Sequence, residues 1–166
     1  MTDQHGRPDL TLVLGGSGKT GRRVAERLTA RGRNVRIGSR SAAPAFDWDN
    51  PKSWEACLDG VAAAYITYAP DLAMPGATTA IQGFVDLARQ RGVERLVLLS
   101  GRGEEEAQAC ERIVQGSGLE WTIVRASWFD QNFSEGAFVD MVLNGAITLP
   151  AGEQLEPFVD VDDIAD

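Results

Sequence analysis

The sequence holds one histidine and two cysteines. His5 lies in Met1–Asp9, a polar stretch that reads as a flexible leader and lacks the basic-then-apolar pattern of a signal peptide. A single histidine removes the usual material for a zinc site or for Ser-His-Asp catalysis, so no metal is expected. Cys57 and Cys110 have no C-x-x-C partner, which fits reduced thiols of a cytoplasmic protein better than a disulfide frame. No apolar run approaches the roughly 20 residues that span a bilayer, so no membrane association is expected. Basic residues are outnumbered, 16 against 24 acidic, for a net charge of −8. That balance repels a phosphate backbone and argues against direct nucleic-acid binding.

What is present suffices for one compact unit: 166 residues, 43% of them hydrophobic. Arg22, Arg23, Arg27, Arg31, Arg33, Arg36 and Arg40 crowd one early stretch, while the second half is acidic. A local anion site explains that asymmetry.

Leu10–Leu14 is a short apolar run ending in glycine, the pattern of a buried parallel strand. Lys19–Arg31 is a helix, with Val24 and Leu28 on one face and Gly32 as its stop. The spacing predicts strands over Asn34–Ile37, Ala45–Trp48, Val61–Thr67, Arg95–Leu99 and Trp121–Val124, and short extended pieces at Ala146–Leu149 and Phe158–Val161. It predicts helices over Pro51–Leu58 (capped by Asn50), Ala77–Arg91, Glu104–Gln115 and Phe129–Leu143. Pro70–Pro75 is a loop. Strands alternating with helices imply right-handed crossovers and an α/β, doubly wound, mostly parallel Rossmann sheet covered on both faces, here over residues 10–166.

Gly15, Gly16, Ser17, Gly18, Lys19, Thr20 and Gly21 contain G-x-G-x-x-G between the first strand and the first helix. A diphosphate needs the backbone close and sits on the free N–H groups and positive end of the helix, so side chains must be absent from the turn. Gly18-Lys19-Thr20 also looks like the end of a Walker A loop, but the glycine required five residues earlier is Val13. A dinucleotide, not a nucleoside triphosphate, is expected.

An NAD site usually carries an acidic residue at the end of the second strand. Here that stretch is Ile37-Gly38-Ser39-Arg40. Arg40 offers a fork of donors to a 2′-phosphate and Ser39 a hydroxyl, so NADP(H) is expected, with NAD(H) as the alternative. Asp47 is placed either to face an adenine or to open the next helix. Arg125, at a strand end, either orients a substrate or ties down its loop.

GGSGKTG, VRIGSRS, FDWDNPKSW and GLEWTIVRASWFDQNF together resemble the NmrA-like, atypical short-chain dehydrogenase/reductase group, especially its ergot-alkaloid and NAD(P)H-dependent quinone reductases. The likeness runs from Leu10 to Asp166. It implies that Gly16–Gly21 hold the diphosphate, that Arg40 meets the 2′-phosphate, and that Asp47 and Trp48 border the adenine. Tyr68, Ala69 and Pro70 would face the inner ribose and Ser100 the nicotinamide. Trp128, Phe129 and Asn132, with Arg125, would lie towards a substrate pocket.

The chain departs from the group in two respects. Only Tyr65 and Tyr68 are present and neither has a lysine four residues on, so the Tyr-x-x-x-Lys proton donor is absent. The sequence also stops where Asp162 or Asp163 would cap a further helix, as expected of a domain truncated before its C-terminal substrate-binding part. The expectation is an NADPH-dependent reductase of a small unsaturated acceptor such as a quinone, an imine or an activated alkene. The alternative is a non-enzymatic redox sensor acting through a regulatory protein partner; a homodimer fits either.

Overall fold

The computed structural model describes residues 9–136, 138–149, 152–153 and 155–166. Met1–Pro8, and with them most of the expected leader, lie outside the described residues.

Five parallel strands form the centre: β1 (Leu10–Leu14), β2 (Asn34–Gly38), β3 (Val61–Ile66), β4 (Arg95–Gly101) and β5 (Glu120–Ala126). Their order across the sheet is β2-β1-β3-β4-β5. The chain leaves β1 to one side to make β2, then crosses back to place β3 on the other side of β1. This reversal opens a crevice at the carboxyl ends of β1 and β3, the place where doubly wound sheets take ligands.

Alternation along each strand feeds two apolar layers. Leu12, Leu14, Ala64, Ile66, Leu96 and Leu98 point to one face. That face is covered by α2 (Trp54–Leu58), α3 (Ala77–Gln90) and α4 (Glu105–Gln115). Ile81, Phe84, Val85 and Ala88 give α3 its buried stripe, at the spacing of one helical face. Val13, Tyr65, Val97 and Leu99 point to the opposite face, under Val24, Ala25 and Leu28 of α1 (Lys19–Ala30). The doubly wound expectation holds.

Five local expectations do not. Ala45–Trp48 is not a strand: the Phe46 N–H donates back to Ser39 O at 2.9 Å, and the Asp47 carbonyl accepts from Trp54 Nε1 at 2.7 Å. These loop partners take the groups a sheet ladder needs. Phe129–Leu143 is not one helix but β6 (Trp128–Phe129), a 3₁₀ turn over Asp130–Asn132 and α5 (Val139–Leu143). Its apolar residues pack into an aromatic cluster instead, Trp128 stacking on Phe138 with ring centres 5.4 Å apart and Phe133 meeting Phe158 at 5.5 Å. Ala146–Leu149 is irregular, and of Phe158–Val161 only β7 (Phe158–Val159) is extended, pairing with β6. Val161 already begins α6 (Val161–Ala165), whose cap is neither Asp162 nor Asp163 but Asp160, accepting from the Asp162 N–H at 2.7 Å.

Acidic residues of this last segment grip the arginines of α1. Glu135 bridges Arg22 and Arg23 at 2.8 and 2.7 Å, and Asp162 and Asp166 take Arg27 at 2.8 and 2.5 Å. The early arginine cluster is thus largely a docking surface for the chain's own acidic end.

Candidate functional site

A cleft of about 520 Å³ opens at the carboxyl ends of β1, β2 and β3. Its floor is the turn between β1 and α1. Gly15 has φ of +64°, and a Cβ there would stand 2.3 Å from Thr67 Oγ1; only glycine suits that position. Ser17 and Gly18 are exposed on the cleft and Thr20 lines it from the first turn of α1. Gly18 is the N-cap of α1, with no side-chain cap and no acidic residue in the first turn. The helix therefore presents uncapped N–H groups and its positive end to the cleft, which suits a diphosphate.

One wall is the end of β2. Gly38, Ser39 and Arg40 line it, with Arg40 exposed and without an ion-pair partner among the described residues. The facing wall is the loop Phe46-Asp47-Trp48-Asp49. The Trp48 indole N–H donates to Thr67 O at 3.1 Å and its ring meets Phe46 and Tyr68, each at 5.0 Å, so the wall is fixed from behind. Asp47 accepts from the Asp49 N–H at 3.1 Å, and its own N–H donates to Ser53 Oγ at 3.0 Å. It therefore both lines the cleft and organises the entry to α2. Ala69 and Pro70 close the rim.

A family model described as NAD(P)H-binding matches residues 15–148, from the glycine turn to beyond α5. The chain belongs to that family. It is 30% identical to the prestalk A differentiation protein A of Dictyostelium discoideum, over 93% of this chain and 56% of that protein. It is 32% identical to festuclavine synthase II of Penicillium roqueforti, over 93% and 60%. The chain thus spans less than two thirds of these relatives. Among solved structures it resembles an NADPH-dependent quinone oxidoreductase of Escherichia coli complexed with NADPH, with a TM-score of 0.74, 18% identity and coverage of 94% and 62%. At that identity the likeness is one of fold. The protein binds NAD(P)H.

The expected site residues divide into two groups. Gly15, Ser17, Gly18, Thr20, Ser39, Arg40, Asp47, Trp48, Ala69 and Pro70 meet in this one cleft. Gly16 and Gly21 serve the turn from below, Gly16 against Ile37 and Gly21 against the backbone of Gly15. Tyr68 backs Trp48 without lining the cleft. Lys19 turns the other way, donating from Nζ to Asn132 Oδ1 at 3.3 Å.

Ser100 is a correction. It lies at the end of β4, 4% exposed, and its hydroxyl donates to Glu111 Oε1 at 2.7 Å on the far side of the sheet from α1. It faces α4, not the cleft. Arg125 is held by α4: Nε and Nη2 both donate to the Glu111 carboxylate, at 2.8 and 2.5 Å. Arg125 and the Ser100 hydroxyl hold Glu111 below the ordinary carboxylate range despite its burial. Arg125 also borders a second depression, with Arg102, Ser127 and Phe158. Trp128 belongs to the aromatic cluster, and Trp128 and Phe129 form the β6 half of the β6–β7 pair. Asn132 touches α1 through Lys19.

Two residues that shape the site and its surroundings escape a reading of the sequence alone. Thr67 closes a strand run and passes for part of it, yet its Oγ1 donates to Leu14 O at 3.1 Å while its carbonyl holds Trp48. Glu111 is a charged residue on the buried stripe of α4, between Ala107 and Val114. A lone acid on an apolar face was the available signal.

Proposed function

We propose that the protein is an NADP(H)-dependent reductase that passes a hydride to a small unsaturated acceptor: a quinone, an imine or an activated alkene. The observation that carries the cofactor preference is the end of β2, where Ser39 and exposed Arg40 border the cleft and the acidic residue of an NAD site is missing. Arg40 would bind the 2′-phosphate, Ser17, Gly18 and Thr20 the diphosphate, and Trp48 with Asp47 the adenine end. When bound, the dinucleotide supplies the hydride.

The chain's own residues give the acceptor its place. Lys19–Asn132 and Arg22/Arg23–Glu135 hold residues 132–135 against the first turns of α1. They bring the cluster of Trp128, Phe133, Phe138 and Phe158 to that side of the molecule, a surface that suits a flat apolar acceptor. Neither tyrosine offers a proton: Tyr65 is buried and Tyr68 is packed on Trp48. The acceptor gains two electrons with the hydride and draws its proton from water, which suits acceptors needing little acid catalysis. Loss of NADPH absorbance with a quinone, an iminium and an activated alkene tests the reading; no turnover with any of them contradicts it.

A second reading has its own support. One relative carries the name of a differentiation protein, and this chain lacks Tyr-x-x-x-Lys. In that reading the same cleft senses the NADP(H) state and a protein partner reads it. A partner retained by one redox form, with no NADPH oxidised, decides for the sensor.

A further inference from the structure

A buried acid holds a half-exposed arginine at the carboxyl end of the sheet. Glu111 is 2% exposed, and it accepts from Ser100 Oγ at 2.7 Å and from Arg125 Nε and Nη2 at 2.8 and 2.5 Å. The Arg125 side chain is itself 54% exposed. Water would solvate such an arginine unaided, whereas burying a carboxylate to meet it is costly and adds little net stability. What the pairing does give is direction. A guanidinium is planar, so fixing Nε and Nη2 fixes its remaining edge as well, and Nη1 has no hydrogen-bond partner among the described residues.

Arg125 lines a depression of about 620 Å³ at the ends of β4 and β5, together with Arg102, Glu156 and Phe158. Arg102 is exposed and has no ion-pair partner among the described residues. Glu156 accepts from Ser127 Oγ at 3.1 Å. The wall therefore carries charges of both signs and is no simple trap for a free anion. Its directed donors suit a neutral group with an exposed oxygen. Phe158 joins the depression to the aromatic cluster, its ring centre 6.1 Å from that of Trp128. Because β4 pairs with β3, the depression and the cofactor cleft open on the same edge of the sheet.

We propose that this depression is an oxygen-recognition subsite that selects carbonyl acceptors, quinones and enones, over cationic iminium ions. Arg125 is the fixed donor and Arg102 the free one, with Glu111 and Ser100 as positioning residues. As hydride adds to the conjugated system, the displaced π pair ends on the carbonyl oxygen. The guanidiniums stabilise that oxyanion until water protonates it. An iminium nitrogen has no lone pair to accept with and meets two cations. The catalytic role rests on the reductase reading; the binding of oxygen does not.

The test is tryptophan-fluorescence titration of the ligand-free protein with two flat bicyclic probes, with thermal unfolding of each variant alongside. One probe is a naphthoquinone fully substituted on its quinone ring, so that no thiol can add to it; the other is N-methylquinolinium, a cation without oxygen. Wild type should bind the quinone at least tenfold more tightly than the cation. Arg102→Ala, a change at an exposed side chain, should weaken the quinone by about threefold to tenfold and leave the Tm unchanged. Arg125→Met combined with Glu111→Leu and Ser100→Ala removes the buried set together, leaves no charge unpaired, and should weaken the quinone by about tenfold or more. Unchanged quinone affinity in Arg102→Ala or in the folded triple variant overturns the proposal, as does a cation bound as tightly as the quinone. If the triple variant does not fold, Arg102→Ala decides alone. The expected binding pattern without NADPH oxidation upholds the oxygen site and removes the reductase reading; quinone turnover without that pattern overturns the oxygen site alone.

Discussion

Gly21 lies so close beneath Gly15 that a Cβ on Gly21 would stand 2.3 Å from the Gly15 carbonyl oxygen. The contact is backbone on backbone, so nothing flexible can give way. Gly18 differs: its backbone is extended, it is exposed on the cleft, and a Cβ there would meet only the Gly15 oxygen, at 3.2 Å.

The two glycines should therefore fail differently. Gly21→Ala should destabilise the fold by about 1–3 kcal/mol, the range for overpacking a closed site, and weaken cofactor binding through the displaced turn. Gly18→Val should keep the fold and lose NADPH and NADH together, because its side chain would occupy the space proposed for the diphosphate. Denaturant unfolding and titration of both variants check this; a stable Gly21→Ala with normal binding contradicts it.

Arg23 and Arg22 pull the Glu135 carboxyl down from 4.5 to about 2. A carboxylate with a lower value folded than unfolded contributes stability above its unfolded value and loses it as pH falls through its folded one. The stability difference between wild type and Glu135→Gln should be flat above pH 4.5, shrink below it and vanish near pH 2. A difference that persists unchanged to that pH contradicts the ion-pair account. Added salt should reduce the difference at neutral pH, since Glu135 is an exposed partner.

Cys57 and Cys110 are both fully buried, and burial together with the adjacent Glu111 pushes the Cys110 thiol up to about 11. Neither should react with an alkylating reagent at neutral pH until the protein unfolds, since thiolate and access are both missing. Mass spectrometry of folded and denatured protein after brief labelling reads this directly, and fast labelling of Cys110 in the folded protein contradicts it.

The sheet, the glycine turn and the cleft wall at Arg40 were legible in the sequence because each rests on local chemistry. Leu10–Leu14 is an uninterrupted apolar run, the turn's glycines follow it, and Ser39-Arg40 closes the next strand. What was not legible depends on partners distant in the chain. Ser100 sits at a strand end that suggests a ligand, but Glu111, eleven residues on, accepts the hydrogen bond from its hydroxyl. Phe129–Leu143 has apolar residues in a helix-like pattern, yet Trp128 and Phe158 draw them into a cluster, and Arg22 and Arg23 pin Glu135 from more than a hundred residues away. Ala45–Trp48 has the composition of a strand, but Trp54 and Ser39 claim its backbone groups.

Arg40 bears the central claim, that the cleft at the end of β2 is built for a 2′-phosphate. Calorimetric titration of NADPH and NADH against wild type, Arg40→Ala and Arg40→Asp measures it. Wild type should prefer NADPH. Arg40→Ala should weaken NADPH by about 1.5–3 kcal/mol, the range for a hydrogen bond to a charged group, and leave NADH almost unchanged. Arg40→Asp should go further and favour NADH, since a carboxylate accepts from free ribose hydroxyls and repels the phosphate. Equal losses for the two dinucleotides, or a wild type that already prefers NADH, would contradict the account.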